Sequence, residues 1–314
     1  MTAAIDVTDL EKTYPGGVQA VRGVTFRVEP GEVFGLLGPN GAGKSTTVGM
    51  LTTTVRPTGG RAELFGHDVG RRPLAARAVS SVVFQEPVVD RSLTGRRHLE
   101  IHSRLWRVDA ADARERAGEL AHVLGLSELL DRAVRTYSGG QRRRLEIARA
   151  LVSRPRIVFL DEPTVGLDPR IRAELIDVVA GLRDRGEATI FLTTHYLDEA
   201  ERLCDRLAVM HEGRIVALGA PAALRAELGE RIVELRVADD PARALGALRD
   251  AGIAGDDAFH VGATVTVPLH ERSAPDAIAR IEASGVRTIA VATREPTLDD
   301  VYLRLTGGQL RAAA

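Results

Sequence analysis

Residues 38–46 read Gly38, Pro39, Asn40, Gly41, Ala42, Gly43, Lys44, Ser45 and Thr46, directly after the apolar run Val33 to Leu37 and before a stretch with helical spacing. A strand, a glycine-rich loop and a helix in that order form a phosphate-binding loop. The glycines let the backbone curl so that successive N–H groups converge on phosphate oxygens, and the helix start adds its positive dipole end. Lys44 supplies a mobile point charge. Ser45 offers a hydroxyl to the Mg²⁺ that accompanies a nucleotide, and Thr46 is placed to bind phosphate from the first helical turn. The chain is thereby committed to a parallel α/β layer with its chemistry at the carboxyl ends of the strands.

The rest of the chain extends that layer in a recognisable order. Val24, Phe26 and Val28 alternate with polar neighbours ahead of Pro30 and Gly31, the pattern of a half-exposed antiparallel strand. Val33 to Leu37, Ile157 to Leu160 and Ile190 to Leu192 are unbroken apolar runs, as in strands buried on both faces of a parallel sheet. Between them, residues 86–151 read as a helical insert, with Ala113, Ala117, Leu120 and Leu124 on one face and a stop at Gly125. Asp168 is an N-cap followed by Pro169, and Ile171, Leu175, Val178, Val179 and Leu182 make one apolar stripe before Gly186.

From Arg231 the pattern resets to a small α+β unit. Val233, Leu235 and Val237 alternate as a strand; Leu245 and Leu248 mark a helix; Val261, Val265 and Val267 predict one strand; Ile278 and Ile281 mark a helix; Val286 to Thr293 form a third strand. Thr297 and Asp300 form a capping box that opens a last helix with Leu298, Val301 and Leu305 inward. Residues 307–314 are expected to be a disordered tail.

The 314 residues carry a formal charge of −1, so a dedicated nucleic-acid binder or polybasic membrane binder is disfavoured. Cys204 is the only cysteine, which excludes an intramolecular disulfide or cysteine-cluster metal site and suits a reducing compartment, with the cytoplasm as expected location. The chain opens without a basic segment followed by a long apolar one, and no run of apolar residues is long enough to span a bilayer.

Two further segments carry chemistry. Arg156 to Pro163 reads Arg-Ile-Val-Phe-Leu-Asp-Glu-Pro, placing Asp161 and Glu162 where a buried strand emerges. Adjacent strand residues point in opposite directions, so Asp161 is expected to face Mg²⁺ while Glu162 is left free to orient and polarise an attacking water. Tyr137, Ser138, Gly139, Gly140 and Gln141 precede the stripe Leu145, Ala148 and Leu151. Ser138 is an N-cap and the glycines bare the amides of a helix start, a second anion site. One nucleotide in one chain has little need of two.

Ser138-Gly139-Gly140-Gln141 resembles the signature motif of ATP-binding cassette (ABC) ATPases. In that family the signature of one subunit closes over the γ-phosphate held by the phosphate loop of another. The resemblance then assigns roles by position. Tyr14 matches the aromatic residue that stacks on adenine. Gln85, after Val82, Val83 and Phe84, resembles the glutamine that touches Mg²⁺ or the lytic water and couples the site to a transport partner. Asp168, in Gly166-Leu167-Asp168-Pro169, resembles the loop that crosses the dimer interface, and His195 resembles the switch histidine that donates to the γ-phosphate. The similarity covers residues 5–225, with Tyr137 standing where many relatives have leucine. Glu295 to Gly307 resembles the C-terminal end of exporter ATPases of the daunorubicin-resistance type.

The resemblance implies an α/β fold: a P-loop ABC cassette over residues 1–228, with an antiparallel N-terminal subdomain, a parallel core sheet and the helical insert, followed by an α+β accessory domain over 229–306. It implies ATP and Mg²⁺ as cofactors, a homodimer or a dimer with a related subunit, and a separately encoded permease with about six membrane spans per subunit. The expected activity is ATP hydrolysis at the inner face of the cell membrane, driving export of drugs, antibiotics or other small hydrophobic molecules. A soluble ABC ATPase acting on chromosomes or ribosomes is disfavoured because the insert lacks sustained heptads and the chain holds one cassette. A regulatory protein that binds ATP without cleaving it is disfavoured by the presence of Asp161, Glu162 and His195 together.

Overall fold

The unbroken apolar runs of the sequence become the middle of a six-stranded sheet. The computed structural model describes residues 2–86, 88–186, 188–270 and 273–307. Its contacts divide the chain into a first unit, Met1–Ile215, and a second, Val216–Ala314, a division ahead of the boundary at residue 228 expected from the sequence.

In the first unit, β1 (Ile5–Thr13) and β2 (Gln19–Val28) pair antiparallel, with Ile5 opposite Val28 and Val7 opposite Phe26. The buried strand β3 (Val33–Leu37) leads into α1 (Lys44–Leu51). Next come β4 (Gly59–Leu64), β5 (His67–Asp68), α2 (Pro73–Ala78) and β6 (Ser80–Val83). The helical insert holds α3 (Gly95–Leu105), α4 (Ala110–Val123) and α5 (Gly139–Leu151). It is followed by β7 (Ile157–Asp161), α6 (Pro169–Asp184), β8 (Thr189–Thr194), α7 (Leu197–Leu203), β9 (Arg206–His211) and β10 (Arg214–Gly219), the strand within which the division after Ile215 falls.

These strands form two sheets, an antiparallel β2-β1-β4-β5 and a second in the order β10-β9-β3-β8-β7-β6 whose pairs β9-β3, β3-β8, β8-β7 and β7-β6 are parallel. Period-two alternation places Val24, Phe26 and Val28 inward, and there the two sheets meet. Phe26 of β2 stacks on Phe34 of β3 with ring centroids 5.4 Å apart, and Phe191 of β8 lies 5.9 Å from Phe26, 5.7 Å from Phe34 and 5.5 Å from Phe159 of β7. Phe34 and Phe191 both meet Phe26 across the layers, and Phe191 is the ring that touches all three of the others. Asp109 caps α4 by accepting from the Ala111 amide, and Asp168 caps α6 by accepting from Ile171, with Pro169 in the first helical turn.

The second unit holds α8 (Pro221–Ala226), β11 (Arg231–Val237), α9 (Pro241–Asp250), β12 (Phe259–Val261), β13 (Thr264–Leu269), α10 (Ala274–Ala283), β14 (Thr288–Arg294) and α11 (Leu298–Thr306). Its sheet runs β12-β13-β11-β14. Val233, Leu235, Leu245, Leu248, Val265, Val267 and Ile281 fill its core. Two expectations change here. The single strand expected over Val261 to Val267 is a hairpin, because β12 pairs antiparallel with β13. The capping box of Thr297 and Asp300 forms, but Leu305 is 42% exposed while Tyr302 is buried: the inward stripe runs Leu298, Val301, Tyr302, one helical turn, and Leu305 falls beyond it. Residues 308–314 of the expected tail lie outside the described residues, and Gly307 caps α11. Among the described residues, no helix is long and apolar enough to cross a membrane.

Phe191→Ala removes the ring that touches the other three of the cluster between the sheets. It is expected to destabilise the chain by about 3 to 5 kcal/mol, read as a lowered urea midpoint; a loss below about 1 kcal/mol would show that the ring cluster does not tie the layers together.

Candidate functional site

Parallel register brings three strand ends side by side. Leu37 of β3 is level with Thr194 of β8, and Thr193 of β8 is level with Asp161 of β7. The phosphate loop, the carboxylate pair and His195 all leave the sheet there, as expected for strands whose carboxyl ends carry the ligand crevice.

The loop's shape depends on Gly43, which caps α1 at φ +105°, where an added Cβ would stand 2.4 Å from the Ala20 carbonyl oxygen. No side chain fits. Gly38, Pro39, Asn40, Gly41 and Ala42 form the remainder of the curl between β3 and α1. Lys44 is 4% exposed. Its ammonium donates to the carbonyls of Gly38 at 2.8 Å and Pro39 at 3.1 Å and pairs with Glu162 Oε1 at 2.9 Å. An ammonium has three protons, and all three are engaged. Thr46, in the first turn, lies 3.5 Å from the Tyr14 hydroxyl, which puts the half-exposed Tyr14 ring beside the loop with Lys12 Nζ 5.0 Å from the ring centroid.

Asp161 is buried, and its Oδ1 accepts from Thr193 at 2.5 Å and from Ser45 at 3.3 Å. Burial pushes its carboxyl above the ordinary range, although the two hydroxyl donors and Lys44 pull the other way. Glu162 departs from the strand alternation expected of it. Its φ is +45°, so the chain turns at this residue, and its amide is held by the Thr193 carbonyl at 3.2 Å and hydroxyl at 2.9 Å. Both carboxylates thereby reach the phosphate-loop helix, Asp161 at Ser45 and Glu162 at Lys44. Glu162 is paired rather than free.

A hard divalent cation suits Ser45 and Asp161: one hydroxyl and one buried carboxylate, whose hydrogen-bond donors among the described residues are neutral hydroxyls. Among the described residues, no cluster of three or more His, Cys, Asp or Glu side chains could hold a metal. Mg²⁺ needs no such cage, because it takes one or two protein ligands and completes its shell with water and phosphate oxygens.

His195 Nδ1 lies 3.4 Å from Glu162 Oε1, and among the described residues this buried nitrogen has no hydrogen-bond partner. The segment carrying it is pinned from below. Glu199, in the first turn of α7 and fully buried, accepts from the hydroxyls of Thr194, at 2.7 Å, and of Thr164. It thus ties the His195 turn to the segment running from Glu162 to Asp168.

The structure does not bring the other expected residues to this cluster. Gln85 follows β6 with its side chain exposed and its carbonyl accepting from Arg143. Ser138 to Gln141 open α5 in a capping box in which Ser138 N donates to Gln141 Oε1 at 2.8 Å and Gln141 N to Ser138 Oγ at 3.2 Å; the box takes up neither the Gly139 nor the Gly140 amide. Gly140 is required internally, since a Cβ there would strike Ile171 at 2.3 Å, whereas a Cβ on Gly139 would meet only an ordinary 3.6 Å contact with Leu167. Tyr137 is buried with its hydroxyl donating to the Leu129 carbonyl. Thr193, Glu199 and Arg143 carry no motif of their own in the sequence; their burial, visible only in the fold, marks them.

The chain is similar throughout to ATP-binding subunits of transporters. The model of the family described as ABC transporter matches residues 21–165. The daunorubicin/doxorubicin resistance ATP-binding protein DrrA of Streptomyces peucetius is 43% identical over 98% of this chain and 93% of its own length. The chain belongs to the ABC transporter ATP-binding family. The Nod factor export ATP-binding protein I of Paraburkholderia xenovorans is 40% identical over 98% of this chain and 99% of its own. Among solved structures, cbiO1 from Clostridium perfringens, part of the ABC transporter complex cbiONQ, aligns with a TM-score of 0.67 at 29% identity, covering 72% of this chain and 92% of that one. The two sheets and helical insert are therefore an ABC cassette, and the resistance and export relatives match this ABC chain over nearly its whole length.

Burial pushes the Glu199 carboxyl above the ordinary 4.5, against the pull of the Thr164 and Thr194 hydroxyls. The folded chain then holds a proton there that the unfolded chain has released, so Glu199's contribution to stability is complete below pH 4.5 and is lost as pH rises through the raised value. Glu199→Gln is expected to remove this part of the slope, so that urea unfolding finds the variant gaining on wild type as pH rises from 4.5 through the raised value. A stability difference that does not change with pH would contradict it.

Proposed function

We propose that this chain is the ATP-hydrolysing subunit of an ABC exporter and works as a dimer on a separately encoded membrane permease. The observation that carries the reading is the convergence of Lys44, Ser45, Asp161, Glu162 and His195 at one set of strand ends, with a second set of bare helix amides, Gly139 and Gly140, on a different element. Gly139 has no internal steric reason to be glycine, and close approach of a phosphate group from a second copy supplies one.

The phosphate-loop amides and Lys44 bind the triphosphate, with the adenine against Tyr14. Lys44 then exchanges Glu162 for phosphate oxygen, and the released carboxylate accepts a proton from the water that attacks the γ-phosphorus as its bond to the bridging oxygen breaks. Held by Ser45 and Asp161, Mg²⁺ would neutralise charge on the phosphate oxygens. His195, whose Nδ1 makes no hydrogen bond among the described residues, and the Ser138 to Gly140 edge of a second chain complete the cage around the γ-phosphate. Gln85, exposed at the end of β6, senses the nucleotide on one side and the permease on the other. Asp168 lies along the dimer seam, and the second unit serves assembly or permease coupling.

Drug-resistance and export relatives support outward transport of small hydrophobic molecules, with this subunit on the cytoplasmic face. Glu162→Gln keeps the shape and removes the proton acceptor and the charge that competes for Lys44. It is expected to bind ATP at least as well as wild type, to lose about two to four orders of magnitude in phosphate release, and to accumulate as a nucleotide-bound dimer in size-exclusion chromatography. Hydrolysis at the wild-type rate would remove Glu162 from the mechanism.

A further inference from the structure

Arg143 lies on α5, five residues beyond Ser138, and its guanidinium is buried. An arginine presents five N–H donors in a rigid fork, and here all are used. Nε donates to the Pro163 carbonyl at 2.7 Å. Nη1 donates to the Phe84 carbonyl and to Glu146 Oε2 at 3.1 Å, and Nη2 to the carbonyls of Glu162 at 3.2 Å and Gln85 at 3.3 Å. The counter-charge is also engaged: Glu146, buried one turn along α5, accepts from the Val88 amide at 2.7 Å through its other oxygen. One ion pair therefore fastens the helix carrying the signature to the ends of β6 and β7, and it does so through the backbones of the two residues, Gln85 and Glu162, assigned to chemistry and coupling.

The need for such a fastening is visible in Glu162 itself. A non-glycine residue at positive φ is strained by about 1 to 3 kcal/mol and persists only where its surroundings over-determine it. Thr193 holds the Glu162 amide, and Arg143 holds its carbonyl, so the peptide planes on both sides of the proton acceptor are fixed, one by β8 and the other by α5. A lysine would preserve the charge but offers only three donors from one point, too few and too concentrated to reach four carbonyls and a carboxylate.

We propose that Arg143 is a positioning residue for ATP hydrolysis: it locks the Glu162 and Gln85 backbones to the signature helix, so that docking of a second chain on Ser138 to Gly140 is felt at this chain's own Glu162. The inference rests on the function proposed above. It requires that the loss of Arg143 act on turnover through Glu162 and leave ATP binding by the phosphate loop in place.

The test compares wild type, Arg143→Lys, Glu162→Gln and the combined variant in steady-state phosphate release, with ATP affinity measured by displacement of a fluorescent ATP analogue. Arg143→Lys is expected to keep ATP affinity within about threefold and to lose at least about tenfold in kcat, and the combined variant to be no slower than Glu162→Gln alone, because both changes remove the same contribution. An unchanged kcat, an equal collapse of kcat and affinity, or a further loss in the combined variant would each overturn the proposal. If Arg143→Lys does not fold, Arg143→Gln with Glu146→Gln, which removes the fork without stranding a buried charge, is judged by the same criteria. A wild-type chain unable to hydrolyse ATP would instead overturn the proposed function.

Discussion

The buried contact between Lys44 and Glu162 is the interaction around which the rest of the site is arranged. Two charges taken out of water gain little net stability from one another, so stability does not explain why both are placed there. Their meeting requires three separate things: a loop that turns back on itself at Gly43, a strand register that sets β7 beside β8 and β8 beside β3, and a backbone at Glu162 that leaves the strand in the left-handed region. Each is supplied by a different part of the chain. The result is a cation whose protons are all committed to the protein's own oxygens and a carboxylate whose release depends on that cation finding a better partner.

From this follows the division of labour proposed for the molecule. The phosphate loop and carboxylates form one wall of a nucleotide site, and the amides at the start of α5, the other anion-binding feature, belong to a different element. In the proposed dimer, a second copy would supply the anion-binding edge that one chain's own nucleotide site lacks. Binding energy from the triphosphate can then be converted into closure of two chains. The permease would experience that closure at Gln85 and the helical insert.

Much of this was legible in the amino-acid sequence, because the decisive features are local strings. The phosphate loop, the Asp161 and Glu162 pair, the Ser138 cap and the buried parallel strands each announce themselves within a few residues, and period-two and 3.6-residue patterns set the cassette's sheet and insert. What was not legible depends on distant partners. The direction of Glu162 follows from its φ angle, which Thr193, 31 residues away, helps to hold, so strand alternation gave the wrong geometry. Glu199 is bound to Thr164 across 35 residues, and Arg143 reaches Gln85 across 58. On the sequence alone, Arg143 is one of three successive arginines after a signature. Leu305 and the hairpin of β12 and β13 show the same limit at element ends, where tertiary packing overrides periodicity.

The proposed shared site is tested most directly by mixing two inactive chains, Lys44→Ala, which lacks the phosphate-loop cation, and Ser138→Arg, which blocks the signature, after circular dichroism has shown both to be folded. In a mixed dimer, the intact phosphate loop of the second faces the intact signature of the first. Phosphate release should return on mixing, although neither chain hydrolyses ATP alone. Full activity of Ser138→Arg by itself, or no recovery at any mixing ratio, would contradict a site built from two chains.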